Sequence, residues 1–274
     1  MKDKICLITG CNTGIGKETA LEMARMDYKV LMLVRNSEKS KLAFDEIQSI
    51  SNNNVEMYFA DLSSQKSIRE AVDGLKKKYQ VIDILINNAG IIKRKNEVTS
   101  DGVELTLAVN YFATFLLTNL LLPLLEKSES GRIINLSSEL YKKGKIKIKN
   151  LKGIDKFNGN QAYANSKLLV AFFTKELSNK LKDKNITVNC VHPGVIGSDV
   201  FREYPMIVNK VLNFFISSVT EGAKPSIYLA TSQEVEGVTG KYYYKTKIKP
   251  YIKLLEDNSL SKEIWEESKK ITNL

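Results

Sequence analysis

The sequence is poor in the residues that build disulfide frameworks, zinc sites and hydrolytic triads. Its three cysteines, Cys6, Cys11 and Cys190, lie far apart and lack Cys-x-x-Cys spacing. Neither a disulfide scaffold nor a zinc site is indicated, and we expect a reducing compartment. His192 is the only histidine and precedes a Pro-Gly pair. Because no Gly-x-Ser-x-Gly segment accompanies it, we expect this histidine to shape a loop and not to serve a hydrolase triad.

Long hydrophobic runs are also scarce. The longest nearly apolar run, Tyr111 to Leu125, is shorter than the roughly 20 residues that span a bilayer, and it contains threonine, asparagine and proline. The chain start leads at once into the short strand-like run Ile5 to Thr9, which is too short for the core of a signal peptide. The sequence therefore predicts a buried helix and a cytoplasmic protein without an export signal or membrane anchor.

Acidic residues are outnumbered by basic ones, 31 against 41, which gives a formal net charge of +10. An excess of positive charge is typical of proteins that bind nucleic acid, an anionic membrane surface or an anionic ligand. The run Lys76 to Lys78, however, ends a predicted helix, where cations suit the helix dipole, and no aromatic residues interleave with it. Nucleic-acid binding is therefore not expected.

Apolar strand-like runs alternate along the chain with longer stretches of helical periodicity. This alternation predicts βαβ units and one α/β domain with a doubly wound parallel sheet of about seven strands and helices on both faces. The predicted strands are Lys4–Thr9, Lys29–Val34, Val55–Ala60, Ile82–Ile86, Arg132–Leu136, Thr187–His192 and Lys241–Tyr244.

A glycine-rich loop, Thr9 to Gly16, joins the first strand to the first helix, Lys17 to Arg25. Its spacing is G-x-x-x-G-x-G, and its glycines suit a tight turn and a close approach of backbone to a ligand. Because a helix N-terminus presents free N–H groups, the loop is a candidate phosphate site. The candidate residues are Gly10, Asn12, Thr13, Gly14, Ile15 and Gly16. A purely structural strand-to-helix turn is the alternative.

Arg35 follows the second strand, where a dinucleotide-binding fold would place an acidic residue on the ribose 2′-hydroxyl of NAD. A guanidinium at this place would form charge-assisted hydrogen bonds to a 2′-phosphate, which favours NADP(H) over NAD(H). A solvated arginine at a strand end is the alternative.

Polar residues follow three further strands at the same predicted sheet edge. Asp61 follows the third strand, although it could also cap the next helix together with Ser63 or Ser64. The fourth strand runs into Asn87 to Gly90, and the fifth ends at Ser137 and Ser138. Ligands of open α/β folds bind at this edge, so these residues are candidates for a site.

Tyr163 and Lys167 stand at i and i+4 on a predicted helix that runs to about Lys182, so they share one face. An ammonium close to a phenol stabilises the phenolate and lowers the phenol pKa from its usual value near 10. Lowering that pKa by about three units would take roughly 4 kcal/mol, which a nearby charge and a positive nicotinamide would supply.

Taken in order, the Thr-Gly-x-x-x-Gly-x-Gly loop, Asn-Asn-Ala-Gly, Ser-Ser and Tyr-x-x-x-Lys resemble the short-chain dehydrogenase/reductase family. The wide interval from Ser138 to Tyr163 and the stretches His192–Gly194, Glu221–Ala223 and Gly240–Tyr243 are similar to its retinol-dehydrogenase-like branch, which includes the WW-domain oxidoreductase. The resemblance covers nearly the whole chain and implies a Rossmann-type fold, with a cofactor half at about 1–130 and a catalytic and substrate half at about 131–274.

The resemblance also implies roles for single residues. Tyr163 would be the acid/base, Lys167 its electrostatic partner and ribose ligand, and Ser138 the orienter of the substrate carbonyl, with Ser137 the weaker candidate. Asn110 would hold a proton-relay water, although its residue type alone fits a core amide equally. The other implied cofactor contacts are Asp61, Leu62, Asn88, Ala89, Gly90, Pro193, Gly194, Val195 and Ser198, and Phe201 to Ile216 would form a mobile apolar wall of the substrate pocket.

These features predict an oxidoreductase that transfers hydride between NADP(H) and a lipophilic aldehyde, ketone or alcohol, of the retinal/retinol type or another apolar compound. Two alternatives are a reductase of steroid or small xenobiotic carbonyls and a catalytically weak, cofactor-binding regulatory protein. Substrate identity, physiological direction and oligomeric state stay open, with a homo-oligomer among the alternatives.

The insertion Lys142 to Lys149 alternates lysine with isoleucine. This period of two predicts a strand or hairpin with cations on one face and apolar groups on the other. A solvated hairpin and a weak contact with an anionic membrane are both open.

Overall fold

Apolar strands and amphipathic helices alternate through the part of the chain that the structure describes. The structure is a computed structural model and describes residues 4–51, 54–153, 156–194 and 218–274. The strands are β1 (Ile5–Thr9), β2 (Lys29–Val34), β3 (Val55–Phe59), β4 (Ile84–Asn87), β5 (Gly131–Leu136), β6 (Ile186–His192), β7 (Tyr242–Tyr244) and β8 (Lys247–Lys249). The α-helices are α1 (Gly14–Arg25), α2 (Glu38–Ile50), α3 (Gln65–Lys78), α4 (Leu105–Leu107), α5 (Ala113–Leu125), α6 (Gly159–Lys180), α7 (Val219–Thr231) and α8 (Asn258–Thr272).

The strands described here form one sheet in the order β3-β2-β1-β4-β5-β6-β7-β8. All neighbours pair in parallel except β7 and β8. The chain leaves β1 toward β3 on one side and returns to β4 on the other, which places a crevice above the carboxyl ends of β1 and β4. The predicted doubly wound sheet is confirmed.

Helices cover both faces of the sheet, which explains why the central strands read as continuous apolar runs. Every residue of β1 is buried, and Leu7 pairs with Leu31 on one side and Leu85 on the other. On one face, Phe115 and Phe173 pack against Trp265 of α8, with ring centroids 5.0 and 5.9 Å apart. The sheet is therefore a rigid support for the loops at its edges.

A π-helical segment, Ala108–Phe112, joins α4 to α5, and together they form one continuous helix, Leu105–Leu125. Among the described residues this is the one helix long and apolar enough to cross a membrane by length and composition. In its most apolar window, 72% of the residues are buried inside the protein. The sequence prediction of a buried helix here is confirmed.

The antiparallel strand β8 was not expected from the sequence. It follows a hairpin turn at Lys245, whose φ is +54°, and all three of its side chains are exposed. A short exposed edge strand has no buried face, so it leaves no hydrophobic period in the sequence.

The prediction of a strand or hairpin over Lys142 to Lys149 is wrong. The segment forms two short 3₁₀ helices, Glu139–Lys143 and Ile148–Asn150, joined by an irregular stretch. The side chain of Asn165 accepts a hydrogen bond from the Lys145 backbone N–H at 2.7 Å, so α6 takes a donor that a strand partner would use. The two kinds of side chain still face opposite ways, because Ile146 and Ile148 pack against the core while Lys145, Lys147 and Lys149 are exposed.

Candidate active site

A cavity of about 1020 Å³ opens at the carboxyl ends of the parallel strands. Nearly all predicted site residues that the structure describes line it: Gly10, Asn12, Thr13, Gly14, Ile15, Gly16, Arg35, Asp61, Leu62, Asn88, Ala89, Gly90, Ser138, Tyr163, Lys167, Pro193 and Gly194. Asn110 lies behind the lining, and Val195, Ser198 and Phe201 to Ile216 fall outside the described residues. The fold thus brings segments distant in sequence to one place.

The glycine loop is built for close approach. Gly10 and Gly14 have φ values of +62° and +54°, in the left-handed region that favours glycine. A Cβ on Gly16 would lie 2.3 Å from Nδ2 of Asn88 and 2.6 Å from the Gly10 carbonyl oxygen. A side chain at Gly16 would therefore displace the loop or the asparagine that braces it.

Asn88 fixes the glycine loop to the end of β4. Its Nδ2 donates to the carbonyl oxygens of Thr9 and Gly10 at 2.8 and 3.2 Å. The Thr9 hydroxyl in turn accepts hydrogen bonds from the backbone N–H groups of Asn88 and Ala89, both at 3.0 Å. The Asn-Asn-Ala-Gly segment therefore positions the loop through reciprocal hydrogen bonds.

Helix α1 begins directly behind this loop. Its N-cap, Thr13, makes no side-chain capping hydrogen bond, and no acidic residue stands in the first turn. The first N–H groups of a helix carry a partial positive charge when nothing caps them. Together with the glycine cradle, this helix start fits the pyrophosphate of a dinucleotide.

The end of β2 is tied to the glycine loop through Ser40. The Ser40 hydroxyl donates to the Arg35 carbonyl oxygen at 2.6 Å and accepts from Nδ2 of Asn12 at 3.1 Å. Arg35 is exposed at the cavity, and Ser37 and Lys39 line the cavity beside it. Sequence reasoning missed Ser37 and Lys39, although both follow Arg35 closely, Ser37 as the N-cap of α2 and Lys39 in its first turn.

Asp61 does not cap a helix. Its carboxylate accepts hydrogen bonds from the backbone N–H and the hydroxyl of Ser63, at 2.9 and 2.7 Å. The N-cap of α3 is Ser64, whose hydroxyl accepts from the Ser67 N–H. The capping alternative is therefore wrong for Asp61, whose local turn leaves it at the cavity wall.

Asn110 lies in the π-helical segment and is 1% exposed. Its Oδ1 accepts from the Ile91 N–H at 2.8 Å, and its Nδ2 donates to the Ile91 carbonyl and the Ser166 hydroxyl at 2.9 and 3.0 Å. Ser166 donates onward to the Tyr163 carbonyl at 2.7 Å. This chain of hydrogen bonds joins the loop after β4 to the helix that carries Tyr163.

Tyr163 and Lys167 lie side by side in the cavity wall, 8% and 4% exposed. The Lys167 Nζ is 5.6 Å from the centroid of the Tyr163 ring and donates to the Leu136 carbonyl at 2.8 Å. Ser138 lines the cavity with them and is near enough to the phenol to lower its pKa. The predicted i, i+4 pair and the serine are thus brought together.

The expected lowering of the phenol pKa is not produced by the protein alone. Burial raises the pKa of Tyr163 to about 12, although the hydrogen bond from Ser138 lowers it. Burial also lowers the pKa of Lys167 to about 8. Desolvation disfavours both charged forms, so burial moves the two pKa values in opposite directions, against the lowering of the phenol pKa expected from Lys167.

His192 lines the cavity and is 7% exposed, with its Nδ1 making no hydrogen bond to any described residue. Burial lowers the pKa of His192 to about 4, so the imidazole is neutral at physiological pH. Its ring centroid is 5.4 Å from that of Tyr244. Sequence reasoning gave this residue a loop-shaping role and did not place it in the cavity wall.

Comparison with known proteins agrees with this geometry. The family described as short chain dehydrogenase matches residues 4–206. Retinol dehydrogenase 13 of Mus musculus is 38% identical over 281 residues, which cover 99% of this chain and 84% of that protein. Retinol dehydrogenase 14 of Homo sapiens is 35% identical, covering 100% of this chain and 88% of that protein.

Solved structures share the fold. A protein from Mycobacterium paratuberculosis superposes with a TM-score of 0.79 and 27% identity, covering 98% of this chain and 93% of its own. A short chain dehydrogenase from Escherichia coli CFT073, solved with NADPH, has a TM-score of 0.71 and 23% identity, with 90% and 98% covered. This chain therefore belongs to the short-chain dehydrogenase/reductase family, in its retinol-dehydrogenase-like branch, and is an NAD(P)-dependent oxidoreductase acting on alcohol and carbonyl groups.

Proposed function

We propose that the protein transfers hydride between NADP(H) and a lipophilic carbonyl or alcohol. The observation that carries the proposal is the cluster of Tyr163, Ser138 and Lys167 in the wall of a cavity that also contains a glycine cradle. A proton donor and a phosphate-binding loop in one cavity suit a reaction that pairs hydride transfer with proton transfer.

The residues present fit a dinucleotide. The glycine loop and the start of α1 would hold its pyrophosphate, Asp61 and Leu62 its adenine, and Gly90 and Gly194 its nicotinamide side. When bound, the cofactor supplies or accepts the hydride and, when oxidised, adds a positive charge. We propose that Lys167 contacts the ribose, since its ammonium lies in the cavity wall.

Preference for NADP(H) is supported by the charges at the end of β2. Arg35 and Lys39 are exposed cations at the cavity, and Ser37 offers a hydroxyl between them in sequence. The only negative charge in this stretch is the carboxylate of Glu38, so its net charge is positive. A 2′-phosphate would form charge-assisted hydrogen bonds here, while a 2′-hydroxyl would leave the guanidinium without its best partner.

Proton transfer is the task of Tyr163. During reduction its phenol would donate a proton to the substrate oxygen while Ser138 hydrogen-bonds to that oxygen. Lys167 would stabilise the phenolate that results, with further stabilisation from positive charge in the occupied cavity. Asn110 would be the proton-relay residue by holding a water that links Lys167 to solvent, and its hydrogen bonds to Ile91 and Ser166 fix its position.

A lipophilic substrate is supported by the apolar side of the cavity. The apolar residues that line it include Ile91, Leu105, Val109, Leu136 and Leu140. An apolar wall with a few convergent polar groups is typical of sites for hydrophobic small molecules. The retinol dehydrogenases among the relatives favour retinal or retinol as the first substrate pair to test.

Two other functions share this geometry. Steroid or small xenobiotic carbonyls would use the same chemistry, and a regulatory protein would bind cofactor without turnover. The complete set of Tyr163, Lys167, Ser138 and Asn110 favours an active enzyme. The test is NADPH oxidation by the purified protein across retinal, steroid ketones and small aldehydes. Tight NADPH binding with no turnover on any of them would contradict the enzymatic proposal.

We also propose a cytoplasmic protein that contacts anionic membranes weakly through the exposed lysines of Lys142 to Lys149. Attraction of such cations to anionic lipid is screened by salt. Co-sedimentation with anionic and neutral vesicles, at low and raised salt, measures this contact. Equal binding to both vesicle types would refute it.

A further inference from the structure

A second cavity, of about 700 Å³, lies between the insertion and the N-terminal part of α6. Its lining comes mainly from the segments Lys143 to Leu151 and Lys156 to Leu169. Leu140 is the only described residue that lines both cavities, and none of the candidate catalytic side chains lines this one. The second cavity therefore needs its own explanation.

Four lysines line this cavity, Lys143, Lys145, Lys147 and Lys156, and among the described residues no aspartate or glutamate lines it. All four are exposed, and none forms an ion pair with a carboxylate in the described part of the chain. The neighbouring Lys142, by contrast, pairs with Glu139 at 2.9 Å. The described part of the lining therefore carries positive charge and no carboxylate, which attracts an anion.

The floor of the cavity is apolar. Leu107, Leu151, Ala164 and Leu169 are each at most 3% exposed, and Ile146 is half-buried beside them. An inorganic anion would pair with the lysines and leave the half-buried apolar side chains of the lining, Leu140 and Ile146, in contact with water. A neutral apolar molecule would cover the floor and leave the cations unpaired. A ligand with one anionic end and one apolar end satisfies both parts.

The rim is held in place by α6. Asn165 Oδ1 accepts from the Lys145 N–H at 2.7 Å and from Nε2 of Gln161 at 2.8 Å, and the same Nε2 donates to the Lys143 carbonyl at 3.1 Å. Gly144 lies so close to α6 that a Cβ there would be 2.7 Å from Cβ of Leu168. Because the loop that carries these lysines is already anchored, binding a ligand would cost little conformational entropy of the backbone.

We propose that this second cavity binds an anionic amphiphile, with a carboxylate, sulfate or phosphate head among the four lysines and an acyl-type chain on the apolar floor. The proposal does not depend on the hydride chemistry of the first cavity. A soluble amphiphile and a membrane lipid share this chemistry, and the experiment separates the two sources.

Titration calorimetry of the full chain without added cofactor tests the proposal with monomeric decanoate and, as the neutral probe, decan-1-ol. We expect saturable decanoate binding that weakens as salt is raised, and decanol binding at least about tenfold weaker. In parallel, co-sedimentation with phosphatidylserine and phosphatidylcholine vesicles tests the membrane source. Saturable binding of decanoate assigns a soluble amphiphile. Binding to phosphatidylserine vesicles alone assigns a lipid if Ile146→Ala weakens it; if Ile146→Ala leaves it unchanged, the lysines act only at the surface and the cavity proposal is overturned.

Paired charge variants locate the site. Lys145→Gln/Lys147→Gln should weaken binding of decanoate, or of phosphatidylserine vesicles, by about tenfold, since two charge-assisted contacts are lost. Lys247→Gln/Lys249→Gln removes the same charge from exposed positions on β8 and should leave binding unchanged. Ile146→Ala should weaken decanoate binding without changing net charge. Equal effects of the two double variants, or no binding of either anionic probe, would overturn the proposal.

Discussion

Replacing Tyr163 with phenylalanine tests the proposed chemistry most directly, because the change keeps the ring and removes one hydroxyl. The ring is buried in the cavity wall beside Lys167, so its packing should be retained. What disappears is the proton donor, whose pKa responds to the nearby Ser138. The substrate oxygen would then develop negative charge with no acid to neutralise it.

The magnitude follows from the state of the phenol. With a pKa raised to about 12 by burial, Tyr163 is protonated at neutral pH and is ready to donate in the reduction direction. A positioned general acid contributes about 10²–10⁴-fold, or about 2.7–5.5 kcal/mol, so turnover should fall by at least about 10²-fold. In the oxidation direction the phenolate is the base, so the wild-type rate should rise with pH below that pKa, and this rise should vanish in the variant.

The assay is NADPH consumption with the best carbonyl substrate of the wild-type protein, together with a direct titration of NADPH binding. NADPH affinity should change little, since the ring and Lys167 stay in place. Tyr243→Phe is the matched control, because Tyr243 is also buried and its hydroxyl has no hydrogen-bond partner among the described residues. If Tyr163→Phe kept near-normal turnover, the assignment of the proton donor would be wrong even with fold and cofactor right.

Three further changes test the remaining assignments. Arg35→Asp should weaken NADPH binding by at least about 1.5–3 kcal/mol in titrations, since a charge-assisted contact is replaced by repulsion. NADH binding should become no weaker, because an acidic residue at this place hydrogen-bonds the ribose 2′-hydroxyl. Equal wild-type affinity for both cofactors would refute the preference. Lys167→Ala should reduce both turnover and NADPH affinity, and a loss confined to turnover would argue against a ribose contact. Burial lowers the pKa of His192 from 6.5 to about 4. The contribution of its neutral form to the free energy of unfolding is therefore fully present above pH 6.5, and up to about 3 kcal/mol of it is lost as the pH falls through 4. His192→Gln should flatten this part of the stability profile in denaturant unfolding, and an unchanged profile would show that His192 does not titrate there.

The features that the sequence predicted correctly depend on local residue patterns and on the order of the segments along the chain. Continuous apolar runs identified β1 to β7 to within about two residues, because strands covered on both faces must be apolar throughout. The glycine spacing and the i, i+4 relation of Tyr163 and Lys167 depend only on backbone geometry, so they were readable directly. Asp61 and Ser138 were found as strand-end residues, because the carboxyl ends of parallel strands meet at one edge.

The tertiary structure alone decided the properties that depend on surroundings. Desolvation sets the pKa of Tyr163 and reverses the shift expected from Lys167, since burial is a property of the whole fold. The alternation of lysine and isoleucine in the insertion fits a strand and an irregular loop equally well. The hydrogen bond from the Lys145 N–H to Asn165, a contact made by the tertiary structure, favours the irregular loop. The placement of His192 in the cavity wall likewise comes from packing, because no sequence period records which side of a strand end faces a ligand.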